Sequence, residues 1–90
     1  SSTQSAGRFL LLLGQAAPAF APAQAKGLAI EQLDYSDGSG DLALQVRVND
    51  FPSLEQLRQG LSETGLAVQL GSASRESDGI KARVVLGGPL

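Results

Sequence analysis

The sequence predicts an α+β fold in which two helices cover one face of a four-stranded antiparallel sheet. A pattern that occurs twice along the 90 residues indicates this fold: an apolar helical stretch followed by two short strand-like runs. Elements in the order αββαββ form one small domain, because a sheet with an apolar face must bury that face against another layer. The opposite face and the two sheet edges stay free for partners.

The composition argues against catalysis. The chain contains no His and no Cys, which excludes a Ser-His-Asp triad, thiol chemistry and disulfides. Seven basic and nine acidic side chains are scattered singly, so no cationic stripe exists that could neutralise phosphates. We therefore expect a protein that is not an enzyme, needs no cofactor or metal, and has no nucleic-acid partner.

Apolar residues that recur at helical spacing from Phe9 onward predict the first helix. Pro18 lacks the amide hydrogen that would bond to Gly14, so the helix either ends there or continues with a kink. We expect residues 1–4 to be a disordered lead-in. Leu11 lies about 200° round the helix from Phe9, which favours a second contact surface on the helix. The predicted core stripe consists of Phe9, Leu12, Leu13, Ala16, Ala17 and Phe20.

The same stretch shares features with a secretory signal peptide, since small residues follow an apolar run. We reject that interpretation because a single basic residue, Arg8, precedes the run. A membrane span is excluded more firmly, because a bilayer requires about 20 mainly apolar residues and Gly14, Gln15 and Pro18 interrupt this run.

The first strand, predicted over residues 28–35, alternates imperfectly. An extra residue near Glu31 and Gln32, a β-bulge, would place its two apolar pairs on one face, and bulges are typical of edge strands. A turn over residues 36–40 leads to the second strand over 42–48, where alternation is strict.

The second helix is predicted to begin at Pro52-Ser53, because Ser53 and Gln56 have capping-box spacing. Gly65 should end this helix with a positive φ. The remaining chain is predicted to hold strand 3 over 66–70, a polar turn over 74–79, strand 4 over 80–86 and a tail over 87–90.

Ordinary connection rules then give the sheet order 1-2-4-3. This is a ferredoxin-like sheet whose first strand has moved to the end of the chain, in other words a circularly permuted ferredoxin-like fold. Strands 1 and 3 become the edges, and each could accept a strand from another molecule.

Two polar clusters have a functional and a plainer interpretation. Asp34, Asp37 and Asp41 could offer oxygens to Ca²⁺, but their spacing is not that of an EF-hand, and a solvated hairpin turn is the better interpretation. The open sheet face lacks the aromatic platform of RNA-binding modules, so we expect it to be solvated or to face a partner. Its predicted basic residues are Arg47, Lys81 and Arg83.

In its succession of segments the chain resembles the C-terminal periplasmic domain of protein L (GspL) of the bacterial type II secretion system. The similarity covers about Phe9 to Leu86, and it is the order of the segments, not any one motif, that is specific. The segments are Leu28–Tyr35, Asp41–Val46, Phe51–Leu61, Gly65–Val68 and Gly79–Ile80.

The resemblance implies a periplasmic domain, residues 1–90, of a single-pass bacterial inner-membrane protein, with the membrane helix upstream of Ser1. It also implies self-association as a homodimer, binding to protein M (GspM) and contacts with pseudopilins. Through the family's cytoplasmic part, which this chain does not include, it implies recruitment of the ATPase GspE.

We therefore expect a non-enzymatic assembly domain whose partners dock along edge strand 1 and the exposed side of helix 1. The alternative is a ferredoxin-like sensory module that binds small molecules between paired sheets. The residues expected to contact protein partners are Leu10, Leu11, Leu28, Ile30, Glu31 and Leu33.

Overall fold

A computed structural model describes residues 2–36 and 38–88, and the side chains from residue 7 onward within them. Four antiparallel strands form one sheet in the order β1-β2-β4-β3, and two helices pack on one of its faces. The predicted fold class and strand order are confirmed. In chain order the elements are α1 Ser2–Ala25, β1 Ala29–Ser36, β2 Asp41–Val48, α2 Phe51–Ser62, β3 Ala67–Glu76 and β4 Gly79–Gly87.

Helix α1 is longer than the sequence suggested. It begins at Ser2 and so includes residues 2–4, where we expected a lead-in, and it continues through Pro18 and Pro22. Both prolines lie on the exposed side of the helix, where carbonyl groups that lose an amide partner remain open to water. Of the two outcomes that Pro18 left open, continuation of the helix is the one observed.

The buried stripe of α1 is rotated toward α2 relative to the prediction. Ala17, expected in the core, is exposed, and Ala19 is buried in its place. The reason is Gly60 of α2, where an added Cβ would lie 3.5 Å from the Cβ of Ala19. The two helices therefore meet at small residues, and this contact draws the stripe toward α2.

A Schellman motif ends α1 and turns the chain into β1. The amide of Leu28 donates to the carbonyl of Ala23 at 3.0 Å, and Gly27 takes the positive φ of 108° that the motif needs. The side-chain amide of Asn49 donates to the carbonyl of Lys26 at 3.0 Å, which ties this helix end to the chain after β2.

The predicted bulge in β1 is confirmed. Ile30 pairs with Val46 and Leu33 with Leu44, and the register shifts between Ile30 and Gln32. Because cross-strand partners share a face, the bulge places both apolar residues of β1 on the helix side of the sheet. As expected, β1 is an edge strand.

The predicted start of α2 was late by one or two residues, and the predicted N-cap, Ser53, by three. Asp50 is the N-cap, and its Oδ1 accepts a hydrogen bond from the amide of Ser53 at 2.9 Å. Asp is as good an N-cap as Ser, and Pro52 is tolerated in the first turn, where amides have no intrahelical partner. Gly65 has the predicted positive φ, 89°, beyond the helix end.

Strand β3 continues beyond the predicted Leu70, as far as Glu76, and the polar turn shrinks to Ser77 and Asp78. The second half of this strand lacks apolar alternation because it is an exposed edge, and pairing with β4 holds it in place. Strand β4 includes Gly87, the first residue of the expected tail, whereas residues 89–90 lie outside the described part of the chain.

The core is aliphatic, as the composition indicated. No polar or charged side chain is buried among the described residues, and Phe20 is the only buried aromatic among them. Leu residues of both helices pack against the alternating residues of β2 and β4. The buried strand residues are Leu42, Leu44, Val46, Val48, Ile80, Ala82, Val84 and Leu86.

Candidate protein-interaction surfaces

Apolar side chains are exposed beside the free edge of β1. Leu10 of α1 is 64% exposed and Leu33 of β1 is 42% exposed. Leu33 faces the helix side of the sheet, yet its position on the outermost strand leaves it only partly covered. We define the edge surface as Leu10, Ile30, Glu31 and Leu33, together with the unpaired backbone edge of β1.

An aromatic contact fixes the N-terminal half of α1 against this strand. The rings of Phe9 and Tyr35 meet edge to face, with centroids 5.8 Å apart and an interplanar angle of 61°. Such pairs add to the energy of simple burial. The predicted partner surface did not include Phe9 or Tyr35, although both occupy apolar positions of predicted elements.

The predicted contact residues do not all lie together. On α1, Gln15 bonds to the α2 end and Phe9 contacts β1, so at about 100° per residue Leu10 lies on the β1 flank and Leu11 on the α2 flank. Leu11 is 61% exposed, whereas Leu28 is only 7% exposed because it packs in the core below α1. The structure therefore groups Leu10 with the β1 residues and separates Leu11 and Leu28 from them.

The charges on the open sheet face compensate one another. The Nε of Arg47 donates to Glu31 at 3.0 Å, the Nζ of Lys81 lies 3.7 Å from the same carboxylate, and Arg47 also pairs with Asp78. The hydrogen bond from Arg47 to Glu31 raises the pKa of Arg47 above its usual value. Arg47 pairs with Lys81 across β2 and β4, and the next pair on the same sheet face is Gln45 with Arg83. The three basic residues therefore gather on the open face, as predicted.

The acidic residues near the first hairpin serve local structure. Asp34 accepts a hydrogen bond from Gln32 at 3.1 Å, and Asp41 pairs with Ser36 in the β1-β2 ladder. Asp37 lies outside the described residues. Within residues 2–36 and 38–88, no three acidic side chains come together in a way that could hold a metal ion.

Neither helix of the described residues has the length and hydropathy of a membrane span.

An open groove of about 840 Å³ runs along the crease between α1 and α2. Its floor contains core residues such as Leu28, Val48 and Leu57, and small residues of both helices form its walls. The groove lies between helices, away from the sheet pairing that the sensory-module alternative invokes. Sequence reasoning did not find it, because it depends on how closely the two helices pack.

The amino-acid sequence is similar to that of a known protein family and of one of its members. The sequence model of the family described as GspL periplasmic domain matches residues 8–88. The chain is 51% identical over 88 residues to the type II secretion system protein L of Pseudomonas aeruginosa, strain PAO1. The matched segment is 98% of this chain and 22% of that protein, so the chain spans about a fifth of its relative.

Solved structures agree with this assignment. The periplasmic domain of XcpY superposes with a TM-score of 0.80 at 53% identity, covering 88% of this chain and 99% of that one. The periplasmic domain of EpsL from Vibrio parahaemolyticus superposes with a TM-score of 0.67 at 27% identity, covering 86% and 93%. Sequence and structure together show that the chain belongs to the family of periplasmic domains of type II secretion system protein L.

Proposed function

We propose that this domain is a non-enzymatic assembly domain of the inner-membrane platform of the type II secretion system. In this proposal it lies on the periplasmic side of a single-pass inner-membrane protein, forms a homodimer and binds protein M (GspM). The observation that carries the proposal is the edge surface, where exposed leucines flank a strand with unpaired backbone groups.

Two properties of the edge surface suit protein association. An unpaired edge strand can add a strand of another chain through its backbone groups. Leu10 and Leu33, more than a third exposed, supply apolar area beside that edge. Because a contact of this kind is small, we expect dissociation constants in the micromolar range for both dimer and complex.

Leu11 defines a second contact surface on the opposite flank of α1. Its separation from the edge surface would let the domain bind one partner through β1 while another contacts the helix. Pseudopilins are the class of partner that we assign to this flank. Recruitment of the ATPase GspE belongs to the cytoplasmic part of the protein, which lies outside this chain.

Sedimentation equilibrium of single variants tests the proposal. Leu33→Asp should weaken self-association at least tenfold, because a carboxylate would be buried at the contact. Leu70→Asp is the matched control, since Leu70 is 36% exposed on β3, the other edge strand. Unchanged association of Leu33→Asp, or an equal loss with Leu70→Asp, would show that the edge surface is wrongly chosen.

Calorimetric titration with the periplasmic domain of protein M tests the second half of the proposal. Leu10→Asp and Leu33→Asp should weaken this binding by about tenfold or more, for the same physical reason. Leu11→Asp should leave it unchanged if Leu11 serves a different partner. Normal binding of protein M to both edge-surface variants would contradict the assignment.

A further inference from the structure

The two ends of the groove between α1 and α2 differ in hydrogen-bonding chemistry. Gly14, Gln15, Glu63 and Thr64 surround one end, and Lys26 lies at the other. Lys26 is the only basic residue among the described residues that line the groove. The end near Glu63 is therefore rich in acceptors and has no cation of its own.

The prolines of α1 increase the number of free acceptors in the groove. Pro18 and Pro22 have no amide hydrogen, so the carbonyl oxygens of Gly14 and Pro18 lose their usual partners four residues ahead. All three of these residues line the groove. Two backbone acceptors about 6 Å apart along the helix are thus left on its wall.

The donors at this end are already used within the domain. The side-chain amide of Gln15 donates to the carbonyl of Thr64 at 2.8 Å, and the hydroxyl of Thr64 donates to the carbonyl of Leu61. The carboxylate of Glu63 has no basic partner among the described side chains. A ligand that bound here would need to bring hydrogen-bond donors and a positive charge.

We propose that this groove binds a segment of a partner protein that places an arginine side chain at the Glu63 end. A guanidinium carries five N–H donors in a planar fork and keeps its charge at every physiological pH, so it can serve a carboxylate and carbonyl oxygens together. Charge-assisted hydrogen bonds of this kind are the strongest that a protein surface can offer such a group.

The rest of the groove indicates the residues that accompany the arginine. From Gly14 to the helix end at Ala25, next to Lys26, α1 rises about 17 Å, which is the length of about five residues in an extended chain. The floor over this distance is apolar, because the core residues Ala19, Leu28 and Leu57 line the groove there. The bound segment therefore has small or aliphatic residues after its arginine, and its site is separate from the edge surface.

Nuclear magnetic resonance titration of the ¹⁵N-labelled domain tests this inference. The probe is the peptide acetyl-Arg-Leu-Ala-Leu-Ala-amide, and its control replaces arginine with citrulline, a neutral side chain of nearly the same shape. The arginine peptide should shift the amide signals of Gly14, Gln15, Gly60 and Glu63. The citrulline peptide should bind about fivefold to tenfold more weakly, because the charged hydrogen bonds are lost.

Variants assign the effect to the acceptor end. Glu63→Gln should weaken the arginine peptide to the level of the citrulline peptide, whereas Glu76→Gln, on β3 and away from the groove, should bind it normally. Equal affinity for the two peptides, signal shifts confined to other surfaces, or no shifts up to the solubility limit of the peptide would overturn the inference. Normal peptide binding by Leu33→Asp separates this result from failure of the edge surface.

Discussion

The Nε of Arg47 in β2 donates to the Oε2 of Glu31 at 3.0 Å, at the point where β1 bulges. The bulge residue is thereby held by a side chain where the regular ladder is interrupted, and Lys81 of β4 approaches the same carboxylate. A single acidic residue thus stands between two cations on the open sheet face. Its charge supports the edge strand from the side opposite the core.

This arrangement predicts that the sign of the charge at residue 31 affects folding. Glu31→Lys should lower the free energy of unfolding more than Glu31→Gln, because it places a third cation beside Arg47 and Lys81. Urea unfolding at low salt measures the difference, which added salt should reduce. Asp34→Lys is the control, since Asp34 bonds to Gln32 and has no basic partner in the described structure. Equal stability of Glu31→Lys and Glu31→Gln would contradict this account.

The consecutive leucines of α1 should differ sharply in their contribution to stability. Leu12→Ala should cost about 2–5 kcal/mol, because Leu12 is fully buried in the core. Leu10→Ala and Leu11→Ala, at exposed positions of the same helix, should change the unfolding free energy by no more than about 0.5 kcal/mol. Denaturant unfolding of the three variants measures these differences, provided that the slopes of free energy against denaturant concentration are equal. The pattern of losses shows which side of α1 packs against the sheet.

A methyl group at Gly60 should stabilise the domain. The added Cβ would lie 3.5 Å from the Cβ of Ala19, an ordinary contact distance, so Gly60→Ala gains helix propensity of up to about 1 kcal/mol without a clash. Gly14→Ala, where nothing lies within 4 Å, is the comparison for propensity alone. Thermal unfolding should show a higher unfolding temperature for both variants than for the parent. A lower unfolding temperature for Gly60→Ala would mean that α1 and α2 approach more closely than described.

The N-cap of α2 should produce a pH-dependent contribution to stability. The hydrogen bond from Ser53 lowers the pKa of Asp50 below its usual value of 3.8. Because the folded pKa is the lower one, the stabilisation by the charged cap is complete above the unfolded pKa and is lost as the pH falls through the folded pKa. Asp50→Ala should therefore be less stable than the parent at neutral pH, with a gap that narrows in acid.

Asp50→Asn separates the cap from its charge. Asn also accepts the hydrogen bond from an amide at this position but does not titrate, so its advantage over Asp50→Ala should persist in acid. Thermal unfolding of the three proteins from neutral pH down to about pH 2 measures these differences. A gap between the parent and Asp50→Ala that stays constant over this range would contradict the prediction.

Strand order could be predicted because it follows from ordinary connection rules between neighbouring elements. The bulge could be predicted because burial of one sheet face imposes apolar alternation, which β1 breaks once. The imperfect parity of β1 carried enough information to locate the register shift at Ile30 and Gln32. The second half of β3 could not be predicted, because an exposed edge strand selects for no alternation and pairing with β4 alone holds it. The start of α2 was misplaced because Asp50 and Ser53 are both good caps, and only the observed bond distinguishes them.

Local patterns could identify the exposed leucines but not their grouping. Leu10 and Leu11 are neighbours in the sequence and lie on different flanks of α1, a fact that depends on where Phe9 and Gln15 make contact. The apolar character of Leu28 suited both the core and a surface, and packing placed it in the core. The groove required the approach of Ala19 to Gly60, a tertiary contact that no single segment encodes.

Helix α1 is fastened to the rest of the domain near both of its ends. The guanidinium of Arg8 donates to the carbonyl of Gly40 at 3.1 Å, and Asn49 bonds to the carbonyl of Lys26. From Arg8 to its end at Ala25 the helix rises about 26 Å, past Pro18 and Pro22, each of which removes one backbone hydrogen bond. A force applied along α1 would therefore reach the β1-β2 turn through Arg8 and the end of β2 through Asn49, which would let α1 act as a lever on the sheet.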